Sequence, residues 1–142
     1  MNDTLDLTRS IEELKRVDHQ YFVTLKYTRT ADVILNTIKR MISAIEFGAD
    51  DVLAYKLAKN KIKEVPPTNK ERVEMLQKFG LLVKDVEFYN FLKKLERAEY
   101  KGENEYRKGV AMVTSFAEVD ILVLGEYFEH TQALIEKLMK IK

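Results

Sequence analysis

The chain has 142 residues, a length that suits one domain spanning 1–142. It carries no Cys and no Trp, only 5 Gly and 2 Pro, and 24 Lys plus Arg against 23 Asp plus Glu. That arithmetic excludes a disulfide framework, a zinc ribbon and a thiol nucleophile, disfavours a turn-rich all-β fold, and leaves no general polyanion-binding surface.

The start, Met1-Asn2-Asp3-Thr4-Leu5-Asp6, is polar and acidic and lacks the basic and apolar regions of a signal peptide. The longest apolar run, Ile121 to Gly125, is far too short to span a membrane. A soluble, cytoplasmic protein is expected. Gln occurs only at 20, 77 and 132, among many Lys and Glu, a balance that fits a thermophilic source.

Apolar residues recur at helical spacing along most of the chain. Ile11, Leu14, Val17, Tyr21 and Leu25 predict a first helix starting near Ser10, with Ser10 and Glu13 as its capping box. The β-prone run Tyr21–Thr28 leaves its end open and admits a ribbon there. Thr30 is expected to cap a second helix with the stripe Val33, Ile34, Ile38, Met41, Ile42 and Ile45, and Gly48 to close it. Asp50 or Asp51 then caps a third helix running to about Ile62, and Pro66-Pro67 stops any helix.

Thr68-Asn69-Lys70-Glu71 reads as a capping box for a short fourth helix that Gly80 ends. Asp85 is expected to cap a fifth, with Val86, Tyr89, Leu92 and Leu95 inward. Lys101–Thr114 reads as a polar loop whose length implies a function or an undetected element, such as a ribbon at Val110–Thr114. Ser115-Phe116-Ala117-Glu118 is expected to cap a long last helix. The predicted fold is all-α, an antiparallel bundle of five to six helices.

Catalytic signatures are sparse. The five glycines are scattered, so no phosphate loop is present, and neither His stands three residues after a Glu. No metal site or cofactor is expected. Glu126 and His130 read as a surface i,i+4 pair, and His19 beside Asp18 as a solvent-facing residue. Two stretches point to anions. Lys56, Lys59, Lys61 and Lys63 lie in a run without acids, suited either to phosphate backbone or to a solvated helix end. Arg97 and Tyr100 stand three apart at a helix end, where a planar phosphate donor and a base-stacking ring share a face. The competing reading pairs Arg97 with Glu96, Glu99 or a facing helix and packs Tyr100 with its hydroxyl at the rim.

The order of features in 31–140 resembles the small prokaryotic HEPN proteins. A helix pair leads to a short capped helix at 68–79. Leu95-Glu96-Arg97-Ala98-Glu99-Tyr100 then precedes a polar loop, and a last helix carries Gly125-Glu126-Tyr127-Phe128-Glu129. The resemblance implies a HEPN-like bundle, usually a homodimer. Many members are metal-independent endoribonucleases of toxin or defence type, using an Arg-x(4–6)-His motif across the dimer. The family Arg falls on Arg97, but no His follows at that spacing, and the next is His130. RNA cleavage needs a base and an acid, and Tyr100 with an ordinary phenol pKa near 10 serves poorly as either. The expected function is therefore a non-catalytic HEPN-like binding module. It would engage RNA or a nucleotide through Arg97, Tyr100, Lys56, Lys59 and Lys63, or pair with a partner protein. Two alternatives stand beside it. One is a divergent endoribonuclease using Arg97, Tyr100 and His130 across a dimer. The other is a ligand-free dimerisation module, based on the high apolar share of so small a chain and on the stripe Val33, Ile34, Ile38, Met41, Ile42 and Ile45, wide enough to need several partners, some of them from a second subunit.

Overall fold

A computed structural model describes residues 5–142, so residues 1–4 of the stretch read for a leader lie outside the described residues. The first helix, α1 (Thr8–His19), does not use the Ser10/Glu13 capping box. Asp6 accepts from the Thr8 backbone N–H at 2.9 Å instead. Ser10 and Glu13 lie inside the helix and are buried. Ser10 Oγ donates to the Ala44 carbonyl at 2.8 Å.

The β-prone run after α1 stays helical. One π-helical turn (Gln20–Thr24) leads straight into α2 (Leu25–Tyr27). Leu25 is almost fully buried, so tertiary packing overrides the strand propensity of its neighbours.

The second and third expected helices are one, α3 (Ala31–Ala58). Thr30 caps it as predicted, accepting from Val33 N–H at 3.3 Å. Gly48 does not end it. A Cβ placed there would lie 2.7 Å from Leu138 Cδ1 and 3.2 Å from Ser10 Oγ, so this glycine lets α1 and the last helix close on α3. Asp50 and Asp51 cap nothing. They pair with Arg72 at 3.2 Å and Arg9 at 2.5 Å. The helix stops at Ala58, short of Ile62, where Asn60 turns left-handed at φ 58°.

Thr68 caps α4 (Asn69–Met75), accepting from Glu71 N–H at 3.2 Å. A 3-10 turn (Leu76–Phe79) follows and ends at Gly80, whose φ of 120° suits a residue without a side chain. The helix α5 (Val83–Arg97) begins before Asp85, which sits in its first turn and accepts from Leu82 N–H at 3.0 Å.

The polar segment holds the element its length implied. Strands β1 (Lys101–Glu103), β2 (Ala111–Val113) and β3 (Glu118–Asp120) form an antiparallel sheet in that order, with Gly102 opposite Met112 and Met112 opposite Val119. The all-α expectation is thus corrected to a mostly helical fold with a small sheet. Val110, Met112 and Val119 are buried, which gives three-residue strands a hydrophobic reason to pair. The β1–β2 loop is tied to the start of α3. Glu105 accepts from Ala31 N–H at 3.2 Å, and Tyr106 N–H donates to the Arg29 carbonyl at 2.6 Å.

The Ser115–Glu118 capping box is also overturned. Thr114 Oγ1 accepts from the N–H groups of Phe116 and Ala117 and so builds the β2–β3 turn. Asp120 caps the last helix, α6 (Ile121–Met139), accepting from Val123 N–H at 2.8 Å.

One contiguous apolar core joins these elements, with α3 in contact with α1, α4, α5, α6, β1 and β2. Ile34, Ile38, Met41, Ile42 and Ile45 of the predicted stripe are buried within this single chain. The stripe is thus covered largely by elements of the same chain. No helix among the described residues is long and apolar enough to cross a membrane.

Gly48 makes a sharp test of the packing. In an open helix Gly→Ala stabilises by up to about 1 kcal/mol. Here the added methyl meets the buried Leu138, and overpacking costs about 1–3 kcal/mol. We expect Gly48→Ala to lower the unfolding free energy by roughly 1 kcal/mol in urea denaturation. A stabilised variant would contradict this packing.

A basic groove between α4 and α5

Residues 89, 93 and 97 of α5, and with them 90 and 94, recur every four positions and share one face of the helix. Tyr89, Asn90, Lys93, Lys94 and Arg97 form the wall of a groove of about 740 Å³. Thr68, Asn69 and Lys70 line the facing side, and Phe116 of the β2–β3 turn lies on its rim. The lining holds four cationic side chains and no carboxylate.

Glu46 and Glu96 beside this wall are already engaged. Tyr89 is buried and its hydroxyl donates to the Glu46 carboxylate at 2.5 Å. Burial and the Glu46 charge push the Tyr89 phenol far above its ordinary pKa, so it stays protonated. Lys93 bridges Glu46 at 3.6 Å and Glu96 at 3.2 Å. Lys94 stands 4.2 Å over the Phe116 ring, which tethers the turn to α5. Arg97 is exposed and makes no ion pair among the described residues. The expected pairing of Arg97 with Glu96 does not form, since Glu96 is taken by Lys93.

The other residues singled out in the sequence lie elsewhere. Tyr100 follows the end of α5, where Ala98 turns extended, and its hydroxyl donates to the Asp32 carboxylate at the start of α3. That hydrogen bond raises its pKa. Tyr100 is not among the groove's lining residues. Lys56 is buried, donates to the Lys142 carbonyl at 2.6 Å and lies 4.8 Å over the Phe79 ring. Lys59 stands 5.3 Å from the Tyr55 ring, and Lys63 lies beyond the helix. Because α3 ends at Ala58, these lysines form no continuous helical face.

His130 is bound up in a different cluster. Its Nε2–H donates to Asp85 at 3.0 Å, and its ring stacks on Phe88 with centroids 3.9 Å apart. Lys137 also donates to Asp85, at 2.8 Å. Asp85 and Arg97 lie at opposite ends of α5, about 18 Å apart along its axis at 1.5 Å per residue. Within one chain, then, Arg97, Tyr100 and His130 are not brought together.

Lys93 and Lys94 were visible in the sequence beside Arg97, but only the helix register shows them to be co-facial with it. Lys70 and Phe116 carried no local signal, since they reach the groove through tertiary packing. No family model, curated protein or solved structure matches the chain.

The Asp85 cluster has a pH consequence. Burial pushes its carboxyl up, but hydrogen bonds from Lys137, His130 and Leu82 N–H, with the Lys137 charge, outweigh burial and hold it below the ordinary value. A carboxyl depressed in the folded state adds stability that is present above the unfolded pKa, about 3.9, and is lost as pH falls through the folded value. We expect Asp85→Asn to cost about 2 kcal/mol at pH 7 and much less near pH 2, read by denaturation across that range. An equal cost at both pH values would contradict the depressed pKa.

Proposed function

We propose that this chain is a HEPN-like, non-catalytic binding module that holds the phosphate backbone of RNA in the groove between α4 and α5. The observation that carries the reading is a lining of Lys70, Lys93, Lys94 and Arg97 without a carboxylate. Cations in that arrangement release counterions on meeting phosphates, which is the main source of backbone affinity. Arg97 supplies a planar fork for phosphate oxygens. Phe116 at the rim offers a face on which a base can stack. The near-zero net charge confines such contacts to a small site.

A binding role is favoured over cleavage because the lining lacks a base. Lysine and arginine stay protonated at neutral pH, and Tyr89 is held protonated by burial and Glu46. His130 lies in the Asp85 cluster rather than in the groove.

Fluorescence anisotropy with a labelled single-stranded RNA tests this. Affinity is expected to fall with salt at a logarithmic slope of roughly −0.7 per contacted phosphate. Arg97→Ala is expected to weaken binding and to flatten that slope by about one such step. RNA incubated with the protein in EDTA is expected to stay intact. Salt-independent binding, an unchanged Arg97→Ala variant or cleavage of the RNA would each overturn the proposal.

A further inference from the structure

A second cavity, of about 280 Å³, lies where α1 meets the π-helical turn. It shares no lining residue with the α4–α5 groove. Lys15, Arg16, His19, Gln20, Thr24 and Arg40 line it. A π turn widens the helix by one residue, and such turns recur at functional sites. Here it leaves Gln20 and Thr24 on the same cavity as Arg40 of α3.

The two arginines are held in place from below. The Glu13 side chain is only 6% exposed, and it pairs with Arg16 at 2.6 Å and with Arg40 at 3.4 Å. Both use the Nη1 nitrogen for this pairing, so Nη2 and Nε of each keep no protein acceptor among the described residues. Gln20 Oε1 accepts from Thr37 Oγ1 at 2.9 Å, which leaves its Nε2 amide hydrogens to donate. The Lys15 ammonium on the rim makes no ion pair among the described residues.

The cavity is therefore lined by donors. Three permanent cations stand against the single carboxylate beneath them, a surplus of two positive charges. Forked guanidinium donors held by a common buried carboxylate are already positioned, so little side-chain entropy is lost when an anion arrives. The volume suits a compact phosphate group with a small substituent, and is too small for a strand of RNA.

We propose that this cavity binds the phosphate of a small phosphate monoester, with Arg16 and Arg40 as the forks and Lys15 and Gln20 as further donors. The inference stands apart from RNA binding in the groove, and either can fail alone.

Inorganic phosphate is the direct probe, followed by amide and guanidinium NMR shifts at constant ionic strength against chloride. Saturable shifts at residues 15–24 and at Arg40 are expected, with a dissociation constant on the order of 1 mM. Arg40→Gln is expected to weaken phosphate roughly tenfold. Lys15→Gln, an exposed position where folding is not at stake, is expected to weaken it about threefold. Arg97→Ala is expected to leave these shifts unchanged. Adenosine 5′-monophosphate is expected to reproduce them and adenosine to give none. Shifts no larger than those from chloride, shifts confined to residues 89–97, or equal affinity in the Lys15→Gln protein would overturn the proposal.

Discussion

The fold depends on burying one broad face of α3, about half of its circumference. Ile34, Ile38, Met41, Ile45, Val52 and Leu53 are fully buried, and Ala44, Ala49 and Gly48 lie buried on the same half, while Asp32, Asn36, Lys39 and Arg40 on the other half are exposed. An apolar face that wide must be covered. The chain wraps it with α1 and α6, with α4 and α5, and with β1 and β2. The small residues mark the tightest approaches. At Gly48, Leu138 of α6 and Ser10 of α1 reach the helix backbone together, and Ser10 meets the α3 carbonyl at Ala44 there. The polar side chains drawn into this core are all partnered among the described residues, so burial is not opposed by stranded donors.

That constraint explains which local signals in the sequence were reliable. Thr30, Thr68 and Gly80 act as read, because each sits at a real change of chain direction and its local chemistry meets no competition. Gly48, Asp50 and Asp51 carry equally good signals for a helix break, and the chain ignores them. Gly48 serves close packing, while the two aspartates are consumed by Arg72 and Arg9. Asp85 and Ser115 fail for a related reason. Asp85 is a good helix-start residue placed three positions inside the helix, where it also anchors His130 and Lys137 of α6. The turn at Ser115 is organised by the hydroxyl of Thr114, and the helix begins only after β3. Strands of three residues leave little alternation to read, so the sheet showed only as an overlong polar segment and a possible ribbon at Val110–Thr114, where β2 lies.

The candidate site was legible in part. Arg97 was singled out from its place at a helix end, and it lines the groove between α4 and α5. Tyr100 was joined to it by spacing alone, which assumes that the helix continues. Ala98 is already extended, so the ring is carried away to Asp32. The lysine run makes no continuous helical face for the same reason, since α3 ends before most of it. What replaces those residues is a set drawn from α4, α5 and the β2–β3 turn, a set that exists only once α3 has drawn those elements together. The half-buried Glu46 beside the wall shows the electrostatic logic. It engages Tyr89 and Lys93, while Lys70, Lys94 and Arg97 keep their charge facing the groove.

The most direct test of this account is to locate bound RNA on the protein. Ultraviolet crosslinking of a short single-stranded RNA, followed by peptide mass spectrometry, reads the contact residue by residue. Crosslinks are predicted at Phe116 and on the segment from Tyr89 to Arg97, and their loss in high salt. Crosslinks confined to the lysines after Ala58, or none at all under binding conditions, would contradict it.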